Sequence, residues 1–414
     1  MTLFFPYTCG LCCSKEDTML QAGVGLSTHK DTERAAAEAA RIALTRAGSD
    51  HADFALVFAT ASHGPGYSLL LRTIQHTTQA THVVGCSAGG VLATDGEVER
   101  ASGVAVLTVR TDAFAASRFF IPQLRGRGYE TGKEVAAHVQ PRLKENNLLA
   151  VFPDTYSFNA TSFFHGLSEQ APQVTTVGGG ASEDGSIGET FQLCGDTVSN
   201  NSVCGMLLSG QFHHSMGIAQ ACQPIGPVHT VTKSHQNLLL KLDGRSAFDV
   251  FAEVVRQPLS DDLRRAAASV FIGLPVDSER QHIARGEYVV RNIVGFDPRQ
   301  GIVAVADEIR QGQKMVFTLR NGDVSREDLK VTLEEQARAW EGHTPGFGLY
   351  FNCLGRGSGL YGFPDFDTSY IKQYFGEIPL IGFFSGCEIA PIRQQSALHQ
   401  YSGVLVLVGE KAVQ

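Results

Sequence analysis

The sequence predicts an α/β protein of mixed β-sheets covered by helices, built from about three repeated helix-strand-helix-strand-strand units. Three observations carry that expectation. The strings "THVVGCSAGGVL" (81–92), "VTTVGGGASEDG" (174–185) and "IPLIGFFSGCEI" (378–389) share apolar residues, a Gly, then small and polar residues. A second apolar run follows each of them: "ASGVAVLTV" (101–109), "NSVCGMLLS" (201–209) and "YSGVLVLVG" (401–409). Upstream of each lies a helical stretch and then an apolar strand that ends in a polar loop.

The first helix spans 31–48, opening on Asp31 as N-cap and closing on Gly48. It leads into the strand "DFALVFAT" (53–60). The second copy repeats this with a helix over 129–146 and the strand "LLAVFPDT" (148–155). In the third, a helix over 325–342 opens on Ser325, closes on Gly342 and feeds "GLYFNCLG" (348–355). These strands are apolar without alternation, as strands buried on both faces are. A short helix is expected between the two strands of each copy. The first two copies are adjacent. The third follows an insertion over about 211–313, with strands such as "YVVRNIVGF" and "GIVAVADEI".

With 414 residues, 43% hydrophobic and 18% charged, the chain is expected to bury much of itself in more than one domain. Its net charge of −8 and the lack of a Lys/Arg cluster argue against a nucleic-acid or anionic-membrane partner. No apolar run reaches the length of a membrane helix. The start, "MTLFFPYTCGLCC", has no cation before its apolar part and is broken by Pro6, which makes a poor signal peptide. Nine cysteines without a regular pattern read as reduced thiols in a cytoplasmic protein. Cys9, Cys12 and Cys13 lack a second ligand pair at metal spacing and fall in a tail expected to be mobile, residues 1–18.

"NCLGRGSGLYG" (352–362) contains G-x-G-x-x-G after a strand, the dinucleotide-binding pattern. A phosphate cradle needs a helix that starts among the glycines, yet Pro364 places the next helix near Asp367 or Thr368. The other two copies lack the pattern. Glu388 does stand where a ribose-binding acid would, but the expectation is that no nucleotide binds here.

The motifs "YFNCLGRGSGLYG", "IPLIGFFSGCEIAP" and "LHQYSGVLVLV" resemble the C-terminal half of the FIST sensory family. "VVGCSAGGVL" with "GEVERASGVAVLTV" is similar to its N-terminal half, and 217–251 and 312–329 also match. The resemblance implies a FIST N-terminal domain over 19–225 and a FIST C-terminal domain over 226–414. It implies a signal-transduction input protein for a small ligand, such as an amino acid or similar metabolite. It also implies a separate output protein as partner, since no output segment is recognisable. Some relatives bind haem and sense nitric oxide, which makes haem a possible cofactor through His63, His165, His213, His214, His399 or a cysteine thiolate. Cys387 departs from the family, which usually has Gly before this Glu.

Ligands of open α/β sheets bind beyond the carboxyl ends of the strands. The candidate ligand-binding residues are therefore Cys86 and Ser87 in the first copy, and Asn352, Cys353, Arg356, Gly357, Ser385, Glu388 and His399 in the third. Arg356 suits a carboxylate and Glu388 an ammonium; the alternative is that they pair with each other. Cys353, His399 and Glu388 also have the residue types of a Cys-dependent enzyme.

Overall fold

The computed structural model describes residues 19–255, 262–275 and 285–411. The expected tail at 1–18 and its cysteines lie outside the described residues. Unit 1 comprises β1 (Leu20–Ser27), α1 (Thr32–Ala47), β2 (Phe54–Thr60), α2 (Tyr67–Thr78), β3 (His82–Ala88), a hairpin of β4 (Gly90–Ala93) and β5 (Gly96–Glu99), and β6 (Val104–Thr111). Unit 2 repeats the order with β7 (Phe114–Pro122), α3 (Gly128–Val139), β8 (Asn146–Pro153), α4 (Ala160–Gln170) and β9 (Thr175–Gly179). The hairpin β10 (Gln192–Cys194) and β11 (Thr197–Ser199) and the strand β12 (Ser202–Gly210) complete it.

Unit 3 opens with β13 (Phe212–Gln220) and is interrupted by an inserted sheet. That sheet holds β14 (Cys222–His235), β15 (Leu238–Leu242), β16 (Arg245–Ser246), α5 (Ala247–Val254), α6 (Leu263–Ser269), β17 (Val270–Pro275), β18 (Tyr288–Asp297), β19 (Ile302–Val305) and β20 (Lys314–Arg320). Unit 3 resumes with α7 (Gly322–Ala339), β21 (Phe347–Cys353), a single turn α8 (Ser358–Tyr361), α9 (Phe366–Phe375) and β22 (Leu380–Ser385). The hairpin β23 (Glu388–Ile392) and β24 (Gln395–His399) and the strand β25 (Ser402–Glu410) close it.

The three sheets share one order: β1-β6-β2-β3-β10-β11, β7-β12-β8-β9-β23-β24 and β13-β25-β21-β22-β4-β5. In each, the first long strand is parallel to the second and antiparallel to the last. The hairpins are exchanged in a ring: unit 1 receives that of unit 2, unit 2 that of unit 3, and unit 3 that of unit 1. The expected repeat is therefore present, with an exchanged hairpin and an opening edge strand added to each unit. Each unit starts with an edge strand, β1, β7 or β13, whose partly exposed pattern gave little signal. Because β13 belongs to unit 3, the insertion runs from Cys222 to Arg320 rather than over 211–313. A division between residues 225 and 226 falls inside β14.

Alternation along the strands explains their unbroken apolar character. Phe54, Leu56 and Phe58 face a core shared by the three sheets, while Ala55, Val57 and Ala59 lie under α1 and α2. Leu148, Ala150 and Phe152 of β8, and Phe347, Leu349 and Phe351 of β21, enter the same central core. Phe58 meets Phe152 at 5.3 Å between ring centroids, and Phe152 meets Phe351 at 6.0 Å. The recurrent motif glycine has a steric cause. A Cβ at Gly85, Gly178 or Gly382 would stand 1.6, 2.0 or 1.9 Å from the carbonyl oxygen of the parallel neighbour.

The inserted sheet is wholly antiparallel, and pairing of β14 with β15 closes six of its strands into a ring. It has its own core around Phe251, Ile272 and Phe317, and it docks on unit 3 where Phe271 meets Tyr401 at 4.3 Å.

At α1 the cap is as the sequence predicts: Asp31 accepts from the Arg34 N–H at 2.9 Å, and Gly48 is left-handed. The start of α7 is not. Asn321 caps it, accepting from the Asp323 N–H at 2.8 Å, and Ser325 lies buried in the second turn. Either residue type can cap, and the earlier one wins because the helix gains a turn.

Candidate functional site

The carboxyl ends of the parallel strand pairs of all three units converge on one cavity of about 450 Å³. Unit 1 contributes Gly89, Glu99 and Arg100; unit 2 contributes Thr155, Tyr156, Ser182, Glu183 and Asp184; unit 3 contributes Leu354, Arg356, Phe384 and Gly386. A second cavity, about 1140 Å³, lies between the inserted sheet and the start of α4. Its Arg291 is already held by Asp307 at 2.6 Å and by the carbonyl of Leu398. The smaller cavity is the better site, because it alone stands where the parallel strands end.

Most polar groups around it are already committed. The carboxylate of Glu183 accepts from the Tyr156 hydroxyl (2.9 Å), the Gly185 N–H (2.8 Å) and the Ile187 N–H (3.0 Å). Burial pushes its pKa up, but the Ile187 N–H, the Tyr156 hydroxyl and the Gly185 N–H outweigh that and hold it below the usual value. Glu99 accepts from the N–H and the hydroxyl of Ser358 at 2.8 and 3.1 Å. Thr155 donates to the Ala181 carbonyl at 2.6 Å, and Ser182 donates to the Phe384 carbonyl. Two charged groups keep free capacity. The exposed guanidinium of Arg100 has no hydrogen bond or ion pair among the described residues, and Asp184 uses only Oδ1, toward Ser186.

Of the candidate residues read from the sequence, only Arg356 lines this cavity. It is 1% exposed and does not pair with Glu388. Its Nη2 and Nε donate to Asp367 at 3.1 and 3.3 Å, its Nη1 to Ser325 and the Ala219 carbonyl, and its Nη2 also to Tyr361 at 2.6 Å. Asn352 is buried beside it and donates to Asp367 at 2.9 Å. Gly357 holds φ +62°, and a Cβ there would meet the Glu99 carboxylate at 2.8 Å.

The other candidates lie beneath the cavity or away from it. Glu388 is fully buried, its Oε1 2.9 Å from the Ser385 hydroxyl and its Oε2 accepting from the Ser402 hydroxyl at 2.7 Å. Burial pushes its pKa up to about 8, so at neutral pH it is chiefly protonated. Its own O–H then donates in the Ser385 contact, while the Ser385 hydroxyl donates to the Asn352 carbonyl at 3.1 Å. Its counterpart opening the hairpin of unit 2 is Gln192, 2.8 Å from Ser202. Ser87 donates to the Ser182 carbonyl at 3.0 Å, and Cys86 is buried in the central core.

Cys353, Glu388 and His399 do not form a nucleophile set. The Cys353 sulfur accepts from the N–H groups of Gly355 and Tyr401, and burial raises its pKa. His399 faces the Ala390 carbonyl through Nε2 at 3.1 Å, and burial lowers its pKa to about 4. Glu388 and His399 are backbone partners across the β23–β24 hairpin, but no side-chain hydrogen bond links the three.

Neither do the residues of the cavity fit a haem. None of His63, His165, His213, His214 and His399 lines it, and no Cys or Met does. His63 is buried elsewhere, with Nδ1 3.1 Å from the Thr32 hydroxyl.

The G-x-G-x-x-G stretch does contain a helical turn, α8, which the sequence had placed no earlier than Asp367. Four residues long, it ends at left-handed Gly362. The carboxylate of Glu99 already occupies the N–H and hydroxyl of Ser358, the place a phosphate would take.

The residues missed in the sequence come chiefly from unit 2. "GGGASEDG", at the end of β9, carries Ser182, Glu183 and Asp184, and the loop after β8 carries Asp154, Thr155 and Tyr156. Alignment of the three copies was the signal that could have found them. Cys387 in the third copy has no positive φ and so needs no glycine-like freedom.

Among the described residues, no helix is long and apolar enough to cross a membrane. An uncharacterized protein of Mycobacterium tuberculosis is 29% identical over 388 residues, covering 94% of this chain and 99% of the relative. An uncharacterized protein of Mycobacterium bovis is 28% identical, covering 94% and 98%. A solved cyanuric acid hydrolase from A. caulinodans covers 95% of this chain and 100% of its own at 10% identity and a TM-score of 0.36, too remote to carry a function. The FIST N domain model matches residues 53–245 and the FIST C domain model residues 247–391. Matched by both models over most of its length, this chain belongs to the FIST family of sensory domains.

Proposed function

We propose that this chain is a sensory input protein whose small ligand occupies the cavity between the three units. The ligand is a zwitterion of the size of an amino acid. Its carboxylate meets Arg100 from unit 1 and its ammonium meets Asp184 from unit 2. The observation that carries this reading is the bookkeeping of the lining: the two charged groups with spare capacity are of opposite sign and come from different units. Arg356, on the floor, holds the cavity's shape through Asp367 rather than gripping the ligand.

Such a ligand would bridge two units and bias their relative position, the differential contact a sensor needs. The signal then passes to a separate output protein. The six described cysteines, all free and buried, support the reading of a reducing, cytoplasmic setting.

The test is a thermal-shift screen of the intact chain against the standard amino acids. A ligand at about a hundred times its Kd raises stability by about 2.7 kcal/mol, a shift of a few degrees for a chain this long. At least one neutral amino acid is expected to give it, and Arg100→Ala to remove it. A flat screen would contradict the reading.

A further inference from the structure

We infer that the site selects zwitterions that carry a large apolar side chain, with Tyr156 and Leu354 setting that preference. This rests on the reading of the cavity given above and goes beyond it. Large apolar side chains exposed to solvent are few among the described residues. Two of them, Tyr156 at 54% and Leu354 at 46%, line the same cavity from different units. Scattered exposure needs no explanation, but convergence on one concave site does.

Both side chains are held over the cavity. The Tyr156 hydroxyl is tied to Glu183 at 2.9 Å, which fixes the ring at the lip. Leu354 follows β21 directly, and its backbone N–H donates to the Ser385 carbonyl at 3.0 Å. Its Cδ2 would lie 2.5 Å from a Cβ placed on Gly89, so the absence of a side chain there is what admits it. Phe384 adds an apolar wall that is 2% exposed.

Once a head group has taken Arg100 and Asp184, the rest of the ligand faces these three residues. A polar side chain would lose water and find hydroxyls and carboxylates already engaged, which costs affinity. An apolar one would cover Tyr156 and Leu354 and remove both surfaces from water. Burying a Leu- or Phe-sized group in this way is worth roughly a ten- to hundredfold gain over alanine.

The experiment is calorimetric titration of the full chain with L-phenylalanine, L-leucine, L-alanine and L-glutamate, repeated on Leu354→Ala and Tyr156→Ala. Phenylalanine or leucine is expected to bind roughly ten- to hundredfold more tightly than alanine. In Leu354→Ala that ratio should fall to within about threefold. Leu354 is exposed, so the variant is expected to fold, and its melting curve checks this; Tyr156→Ala reads the same ratio independently. Binding of alanine or glutamate equal to that of phenylalanine overturns this inference and leaves the cavity reading standing. An unchanged ratio in both variants also overturns it. No binding by any of the four overturns both.

Discussion

Arg356 and Asp367 form a two-point ion pair with both side chains fully excluded from solvent, Nη2 to Oδ1 at 3.1 Å and Nε to Oδ2 at 3.3 Å. The pair joins the loop after β21 to α9, and the same guanidinium reaches Ser325 of α7 and the Ala219 carbonyl at the end of β13. One side chain thus fixes four segments beneath the cavity.

Removing one partner leaves the other charge buried and uncompensated. Arg356→Met is therefore expected to cost about 3–5 kcal/mol, and Arg356→Met with Asp367→Leu less than that. Urea unfolding of both variants checks the order. A double variant as unstable as the single one would show that the pair is not the coupled unit described.

Glu388 carries a testable pH signature. Its pKa rises from an ordinary 4.5 to about 8, chiefly by burial. Between those values the folded chain holds a proton that the unfolded chain has released. The stabilisation is complete below pH 4.5 and is lost as pH rises through about 8. Glu97, raised to about 8 by burial and by Asp367, acts in the same direction. Glu388→Gln, which copies the amide of Gln192 in unit 2, should fold and should flatten the decline by on the order of a few kcal/mol. Urea midpoints on either side of the window measure it. An unchanged slope would mean that Glu388 is ionised in the folded state.

Cys353 is expected to resist alkylation in the folded protein, since its thiol is buried and its pKa raised. Iodoacetamide labelling followed by peptide mass mapping should modify it only under unfolding conditions. Fast labelling below neutral pH would revive the Cys-dependent enzyme.

Gly382→Ala tests the motif glycine. A Cβ there stands 1.9 Å from the Tyr350 carbonyl oxygen, so β21 and β22 would have to part. A loss of roughly 1–3 kcal/mol or more is expected, read from the melting curve. A neutral outcome would mean that the strands pair less closely than described.

The repeat was legible because its determinants are local. An apolar strand buried on both faces and a glycine pressed against a carbonyl recur wherever the geometry recurs, as Gly85, Gly178 and Gly382 do. The hairpin exchange was not legible, since nothing within "EIAPI" says that Glu388 pairs with Gly179 of another unit. In unit 3 the site was legible to within one position, whereas the unit 2 residues Tyr156, Glu183 and Asp184 were missed altogether. Cys353 and Ser385 were chosen for their chemistry, yet Leu354 and Gly386 line the cavity, because alternation turns every second side chain toward the core. The Arg356–Asp367 pair escaped because Asp367 reads as an ordinary first-turn helix acid. Arg100 escaped because a charged turn residue has no sequence signature apart from the cavity it faces.

The central claim is that a zwitterion binds between Arg100 and Asp184. Calorimetric titration of L-leucine into the intact chain, Arg100→Ala and Asp184→Asn tests it most directly. The account predicts one saturable site in the intact chain and a loss of roughly ten- to hundredfold in affinity in each variant, about 1.5–3 kcal/mol, with melting temperatures little changed. Affinity that is unaltered in both variants, or no binding to the intact chain, would contradict it.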